Sequence, residues 1–218
     1  VIRPRGLLLV LITAVLAAGC AASSEPRPFD RTVIARMRET GTLHVVHNRP
    51  LGLQSPATQS RLLNNTLRNA RAPEPTLRVA ERLASAAGLA GYARNVVVVR
   101  NRSMNPDVAE LRQLVSGPWV IDVTTTRFQL EYKGVINVES FRLLYEARAR
   151  LFDLEHSQLH WVGICKIEGP HVAGERWLED ATVFEEEIGR AVDACVAQLA
   201  RELAREGGVA EHRRAPRG

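Results

Sequence analysis

Few residues in this 218-residue chain are of a kind that does chemistry, and their spacing decides what each can do. Cys20, Cys165 and Cys195 make an odd set, so one thiol needs a fate other than an internal disulfide. Asp153, His156 and Ser157 are the types of a hydrolytic triad, but they crowd one tight turn. A triad draws on side chains that the fold brings together, so the expectation is a hairpin connection without catalysis. His44 and His47 sit three apart in a β-prone run and point to opposite faces, so they cannot share a metal. His156 and His160 would lie ~13 Å apart along a strand. Exposed or hydrogen-bonded histidines account for both pairs. Glu185, Glu186 and Glu187 fall in the first turns of a helix, where negative charge offsets the helix dipole without any metal. The sequence has no G-x-S-x-G elbow, H-E-x-x-H, P-loop or G-x-G-x-x-G. The expectation is therefore no catalytic residue, no metal site, no cofactor and no enzyme activity.

The first cysteine closes a recognisable leader. Arg3 and Arg5 form a basic start, Leu7 to Ala18 an apolar run, and Ala17, Ala18 and Gly19 a small-residue end before Cys20. Basic, apolar and small in that order is an export signal, expected over residues 1–19, and its apolar part is too short to span a membrane. The chain opens on Val1, which reads as a non-AUG start or a trimmed N-terminus. The run Leu16-Ala17-Ala18-Gly19-Cys20 resembles the lipobox of bacterial lipoproteins, with the leucine one place early. That resemblance implies cleavage before Cys20 and acylation of its sulfur. Each buried CH₂ contributes ~0.8 kcal/mol, so two or more chains anchor stably. An ordinary secretory signal that happens to end near a cysteine is the alternative. Ala21, in place of Asp, resembles the outer-membrane sorting pattern of Gram-negative lipoproteins. Residues 21–28 are small, polar and Pro-bearing and read as a tether reaching at most ~28 Å.

An oxidising compartment makes the other two thiols candidates for pairing. Residues 157–167 alternate as a strand that would put Leu159, Trp161, Gly163, Cys165 and Ile167 on one face. Residues 181–206 read as an amphipathic helix whose stripe is Phe184, Ile188, Val192, Cys195, Leu199 and Leu203. Both sulfurs then face the core, and a helix packed on that strand would bring them into bridging range. A disulfide closing a loop of about 30 residues would stabilise by ~3–4 kcal/mol. Two unpaired core cysteines are the alternative.

The remaining elements follow the same logic. Asp30 caps a helix through Met37 that Gly41 ends, and Thr42 to His47 is a strand. Residues 50–60 are turn-rich, and a helix is expected near 59–71. Pro75-Thr76 opens a helix with Val79, Ala80, Leu83, Ala86, Ala87 and Ala90 at helical spacing, ended by Gly88 and Gly91. Val96 to Val99 are apolar on both faces and read as a buried central strand. Asn105-Pro106 is expected to start a short helix with Leu111, Leu114 and Val115 inside. Trp119 to Leu130, the alternating run Phe141 to Leu151 and the Cys165 strand form an antiparallel meander under the C-terminal helix. Asp122 interrupts the first of these strands, either facing solvent or buried against Arg148 or Arg150. The fold class is α/β (α+β): that meander and helix, with a mixed αβ N-terminal half in the same sheet. One domain is expected over residues 29–206, with a basic tail at 207–218 that frays.

Trp119 through Leu203 resembles the C-terminal half of an uncharacterised family of small proteobacterial envelope lipoproteins. The shared features are Trp119-Val-Ile-Asp-Val, Tyr145-Glu-Ala-Arg-Ala-Arg-Leu-Phe-Asp153, Trp161-Val-Gly-Ile-Cys165 and Cys195, with Ile34 to Val46 similar to the family's start. The order of strand, turn, Trp-bearing strand and long helix is also similar to the α/β domain of curli-secretion and penicillin-binding-protein-activator lipoproteins. Neither resemblance supplies an activity.

Composition narrows the partners. The chain is 45% hydrophobic and 24% charged, which excludes collagen, disordered and disulfide-dense classes. Net charge is +5, and losing Arg3 and Arg5 with the leader lowers it by two. Lys133 and Lys166 are the only lysines, an Arg bias that reads as GC-rich coding. Export and only 5% aromatics argue against nucleic acid. Arg142, Arg148 and Arg150 are read as a solvated face balanced by Glu139 and Glu146. The functional expectation is a lipid-anchored, periplasm-facing envelope protein that binds a protein partner or supports envelope assembly. The alternative is a small-molecule or lipid-binding module with a pocket between helices and sheet.

Overall fold

The computed structural model describes residues 29–54, 74–135, 138–179 and 181–207. The leader, Cys20, the tether, the helix expected at 59–71 and the tail beyond Gly207 lie outside these. In chain order the elements are α1 (Arg31–Thr40), β1 (Thr42–His47), α2 (Pro75–Leu89), β2 (Asn95–Arg100), α3 (Val108–Leu114), β3 (Trp119–Val135), β4 (Val138–Asp153), β5 (Gln158–Glu168), β6 (Val172–Ala173), α4 (Gly174–Glu179) and α5 (Ala181–Glu206). The strands form one mixed sheet in the order β2-β1-β3-β4-β5, with β6 pairing β4. β3, β4 and β5 are the antiparallel meander, and β1 and β2 add the N-terminal half to the same sheet in parallel. This is the α/β class read from the sequence.

Local chemistry sets the first element. The Asp30 carboxylate accepts the amides of Thr32 and Val33 at 2.9 and 3.1 Å, capping α1. Gly41 takes φ +77° and donates its amide to the Met37 carbonyl, ending the helix as read, with the helical turns running past Met37 to Thr40.

The two faces of the sheet carry different cores. On one, Leu43, Val45, Ile121, Leu143, Ala147 and Leu151 meet α1, α2 and the α5 stripe Phe184, Ile188, Val192, Cys195, Leu199 and Leu203, all buried. Gly163 lets α5 approach, since a Cβ there would lie 2.9 Å from Leu199 and strike the Trp161 ring. On the other face a smaller cluster joins Val46, Leu111, Val120, Phe152 and Leu154.

Several expectations are corrected. β2 is the edge strand, not a central one. Nor is it buried: Val96 packs against the large core and Val99 against the small one, but every residue of the strand is half-buried or exposed. α3 starts at Val108 with Asp107 as its cap, whose side chain accepts the Glu110 amide at 2.8 Å, in place of Asn105. Leu159 lies on the face of Phe152, its partner, because the β4–β5 register shifts between Leu151 and Phe152. Gly207 is buried, where a Cβ would meet Ile34 and Phe29 at 2.9 and 3.0 Å. Residues 172–179, left unassigned by the sequence reading, form β6 and α4, whose Trp177 indole donates to the Phe141 carbonyl at 3.3 Å.

Candidate functional site

Among the described residues one dense polar grouping lies at the β4–β5 hairpin end. Ser157 adopts φ +53° to close the turn. Asp153 is fully buried there and accepts the His156 amide at 3.2 Å, with the His156 ring 2.9 Å away. Arg36 of α1 donates to Asp153 at 2.7 Å and its guanidinium lies over the Trp119 ring. Burial alone would raise the Asp153 carboxyl; the His156 amide and ring and Arg36 outweigh it, so the group sits below the ordinary carboxylate range. Arg112 of α3 donates to the Leu154 carbonyl and, at 2.6 Å, to the Ser157 hydroxyl. The hydroxyl therefore answers to an arginine and the histidine to Asp153, so the three expected hairpin residues are close but not arranged as nucleophile, base and orienter. Asp153, Glu155 and His156 offer ligand atoms within 4.8 Å of one another. Arg36 already stands 3.1 Å from the His156 ring nitrogen as well as on Asp153, where a cation would have to displace it.

A second polar group is buried beside the β2–α3 connection, where Arg150 also donates to the Pro106 carbonyl and Asn101 to Asn48. Asp122 is fully buried and held by Arg150 at 2.5 Å, with Asn48 donating to it as well. Of the two expected positions for Asp122 the structure thus shows the paired one, with Arg150 as partner. Arg148 donates instead to Asn105 at 2.6 Å. Burial pushes the Asp122 carboxyl up, and Arg150 and Asn48 offset part of that. Arg142 is engaged by Glu131 and Glu168.

Hydrogen bonding, one of the two states expected of the histidines, holds for His156 on Asp153 and for His44 on the Trp119 backbone. His44 and His47 are both buried, on opposite faces as the alternation requires. Burial lowers both rings' affinity for a proton. His156 is in the turn and not on the strand, and His160 is buried beside Trp119. Glu187 is buried with Arg190 at 2.6 Å, and burial pushes its carboxyl up. α5 begins at Ala181, so the three glutamates fall in its second turn, within the first turns where they are expected.

The sulfurs of Cys165 on β5 and Cys195 on α5 are bonded, with Cα atoms 5.1 Å apart and both residues fully buried. Cys20 lies outside the described residues.

Two surface clefts accompany these groups. One of about 330 Å³ lies beside the hairpin, lined by Arg112, Val115, Pro118 and Leu154. The other, of about 440 Å³, opens between α2 and β2, lined by Glu81, Ala84, Gly88, Arg94, Val96 and Val98. The sequence reading missed Arg36 and Arg112, which reach the hairpin from 117 and 45 residues away and leave no local signal. It also passed over the arginines that bracket the valine run, a signal plainly present at 94 and 100.

No protein-family model matches this chain, and no curated protein sequence does. Solved structures are similar to it only at low identity and low TM-score. A lipoprotein of Neisseria meningitidis is 16% identical, with 74% of this chain and 99% of that chain covered and a TM-score of 0.36. The PelC dodecamer of Paraburkholderia phytofirmans is 12% identical, covering 74% and 89% at a TM-score of 0.32. A minor lipoprotein of Acinetobacter baumannii is 8% identical, covering 78% and 92% at 0.36.

Proposed function

We propose that this chain is an envelope protein held to a bacterial membrane through acyl chains on Cys20, periplasm-facing on the outer membrane, with a binding rather than a catalytic role. The observation that carries the reading is the division of its three cysteines. Two are joined across the core between β5 and α5, as exported proteins join theirs, and the third ends an export-type leader. Asp153 and Ser157, the residues closest to a hydrolytic set, are each held by an arginine from another element, which favours a structural use of that hairpin.

The test is fractionation of cells expressing the full chain and its Cys20→Ser variant. The wild type is expected in the membrane pellet and the variant in the soluble fraction; a variant that still pellets overturns the lipid anchor. Mass mapping without reductant is expected to show the Cys165–Cys195 link in both.

A further inference from the structure

The open edge of the sheet at β2 supports an inference about the partner; it rests on the binding role just proposed and specifies the chemistry that would be bound. The amide of Asn95 donates to the Gly41 carbonyl at 2.9 Å and that of Asn101 to the His47 carbonyl at 2.9 Å. Polar groups alternate sides along a strand, so residues 95, 97 and 99 bond β1 while Val96, Val98 and Arg100 turn their N–H and C=O groups outward. Among the described residues no strand pairs with that edge. Side chains alternate with the same period. Val96 and Val98 line the cleft against α2, together with Arg94 at the strand's start. Arg100 lies on the same side, close enough to act on His47 and on Glu74 at the head of α2. The edge therefore presents a row of arginine, valine, valine, arginine at every second residue. Val98 is 36% exposed; Arg94 and Arg100 make no carboxylate contact within 4 Å among the described residues, Glu74 acting on Arg100 only from farther away.

We propose that this edge takes up, as an added strand, an extended acidic segment of a partner protein. Its carboxylates at positions i and i+6 would stand opposite Arg94 and Arg100, and apolar residues at i+2 and i+4 would cover Val96 and Val98. Main-chain bonds to an open edge give affinity, and alternate side chains give specificity. The row reads the same in both directions, so charge fixes the sequence pattern without fixing the strand's polarity. Glu81 on the cleft wall disfavours acids in the middle of the segment and places them at its ends.

Charge argues against the other occupants. A second copy paired edge to edge would set arginine against arginine, and like charges directly opposite destabilise a strand pair. The chain's long undescribed segments are each net basic: residues 1–28 hold Arg3, Arg5 and Arg27 against Glu25, residues 55–73 hold Arg61, Arg68 and Arg71 with no carboxylate, and residues 208–218 hold Arg213, Arg214 and Arg217 against Glu211.

The test is fluorescence anisotropy of the full chain with two labelled heptapeptides, Asp-Thr-Val-Thr-Val-Thr-Asp and its counterpart with lysine at both ends. At low salt the acidic peptide is expected to bind at least tenfold more tightly, and the Arg94→Glu/Arg100→Glu variant to reverse that order. Val98→Pro removes an outward amide and no β1 bond, so it should weaken binding tenfold or more while circular dichroism stays native. Should Val98→Pro not fold, N-methylation of the peptide's alternate amides, expected to cost the same tenfold, replaces it. No acidic-peptide binding at millimolar concentration, equal binding of the two peptides, binding untouched by the edge changes, or self-association that the edge variants abolish would each overturn the proposal. All of these leave the Cys20→Ser fractionation result intact, so the two readings fail separately.

Discussion

At the scale of single residues, the ionised groups that matter most are those taken out of water. Asp122 has no exposed surface, and its charge is tolerated because Arg150 and Asn48 bond it. Such a pair contributes little over an apolar replacement, yet losing one member leaves a buried charge alone. Arg150→Met is therefore expected to lower stability by about 3–5 kcal/mol at neutral pH, and Asp122→Leu added to it to recover most of the loss. Urea unfolding of the two variants checks this. The sign with pH follows from burial: the unpaired Asp122 carboxyl is pushed up, so the single variant should regain stability as acid protonates the group. A single variant whose deficit does not shrink in acid would show that the Asp122 charge is not what Arg150 balances.

At the scale of elements, β1 carries two buried histidines, one toward each core. Burial lowers the proton affinity of His44, its bond to the Trp119 backbone opposing; burial lowers that of His47, with Arg100 reinforcing. The unfolded chain protonates near pH 6.5 while the folded one resists, so stability present above that value is lost as pH falls through it. Measured from pH 7 to pH 5, His44→Leu and His47→Leu should each gain on the wild type, by at most about 1.4 kcal/mol per pH unit. Urea midpoints that run parallel for variant and wild type would rule this out. Much of this element-level detail was legible in the sequence, and the exceptions share a cause. The α5 stripe, the Asp30 cap, the three meander strands and the facing cysteines each follow from a local period or a local bond. The orientation of Leu159 does not, because a bulge resets the count and leaves no compositional mark. The edge position of β2 does not, because valines that pack lightly against two cores and valines buried in a central strand look alike in sequence. Arg36 and Arg112 at the hairpin do not, because nothing near Asp153 or Ser157 names a partner on another element.

At the scale of the whole molecule, the described chain closes on itself through α1. Phe29, Val33, Ile34 and Met37 enter the large core, where Phe29 meets Tyr92 edge to face and packs with Ile34 around the end of α5 at Gly207. Arg38 donates to the Gly91 carbonyl at 2.7 Å and Arg36 to Asp153. One short helix thus ties the α2–β2 turn, the β4–β5 hairpin and the C-terminal helix together. Removing it together with Phe29, which precedes it, deletes four buried apolar side chains at ~2–4 kcal/mol each. That is comparable to the ~5–15 kcal/mol that holds a typical domain together. A chain beginning at Thr42 is expected to unfold as a whole and not merely to lose α1, read as loss of the near-ultraviolet signal of buried Trp119 and Trp161 and of a cooperative thermal transition. Hydrogen exchange on the intact chain should likewise place the protected α1 amides in the same cooperative unit as β3. A truncated chain that keeps both signals would make α1 an appended helix. The distinction bears on the anchor, because only ten residues separate Cys20 from Arg31. If α1 is integral, the acylation proposed for Cys20 would hold the sheet itself near the membrane, within reach of a tether of ~3.5 Å per residue.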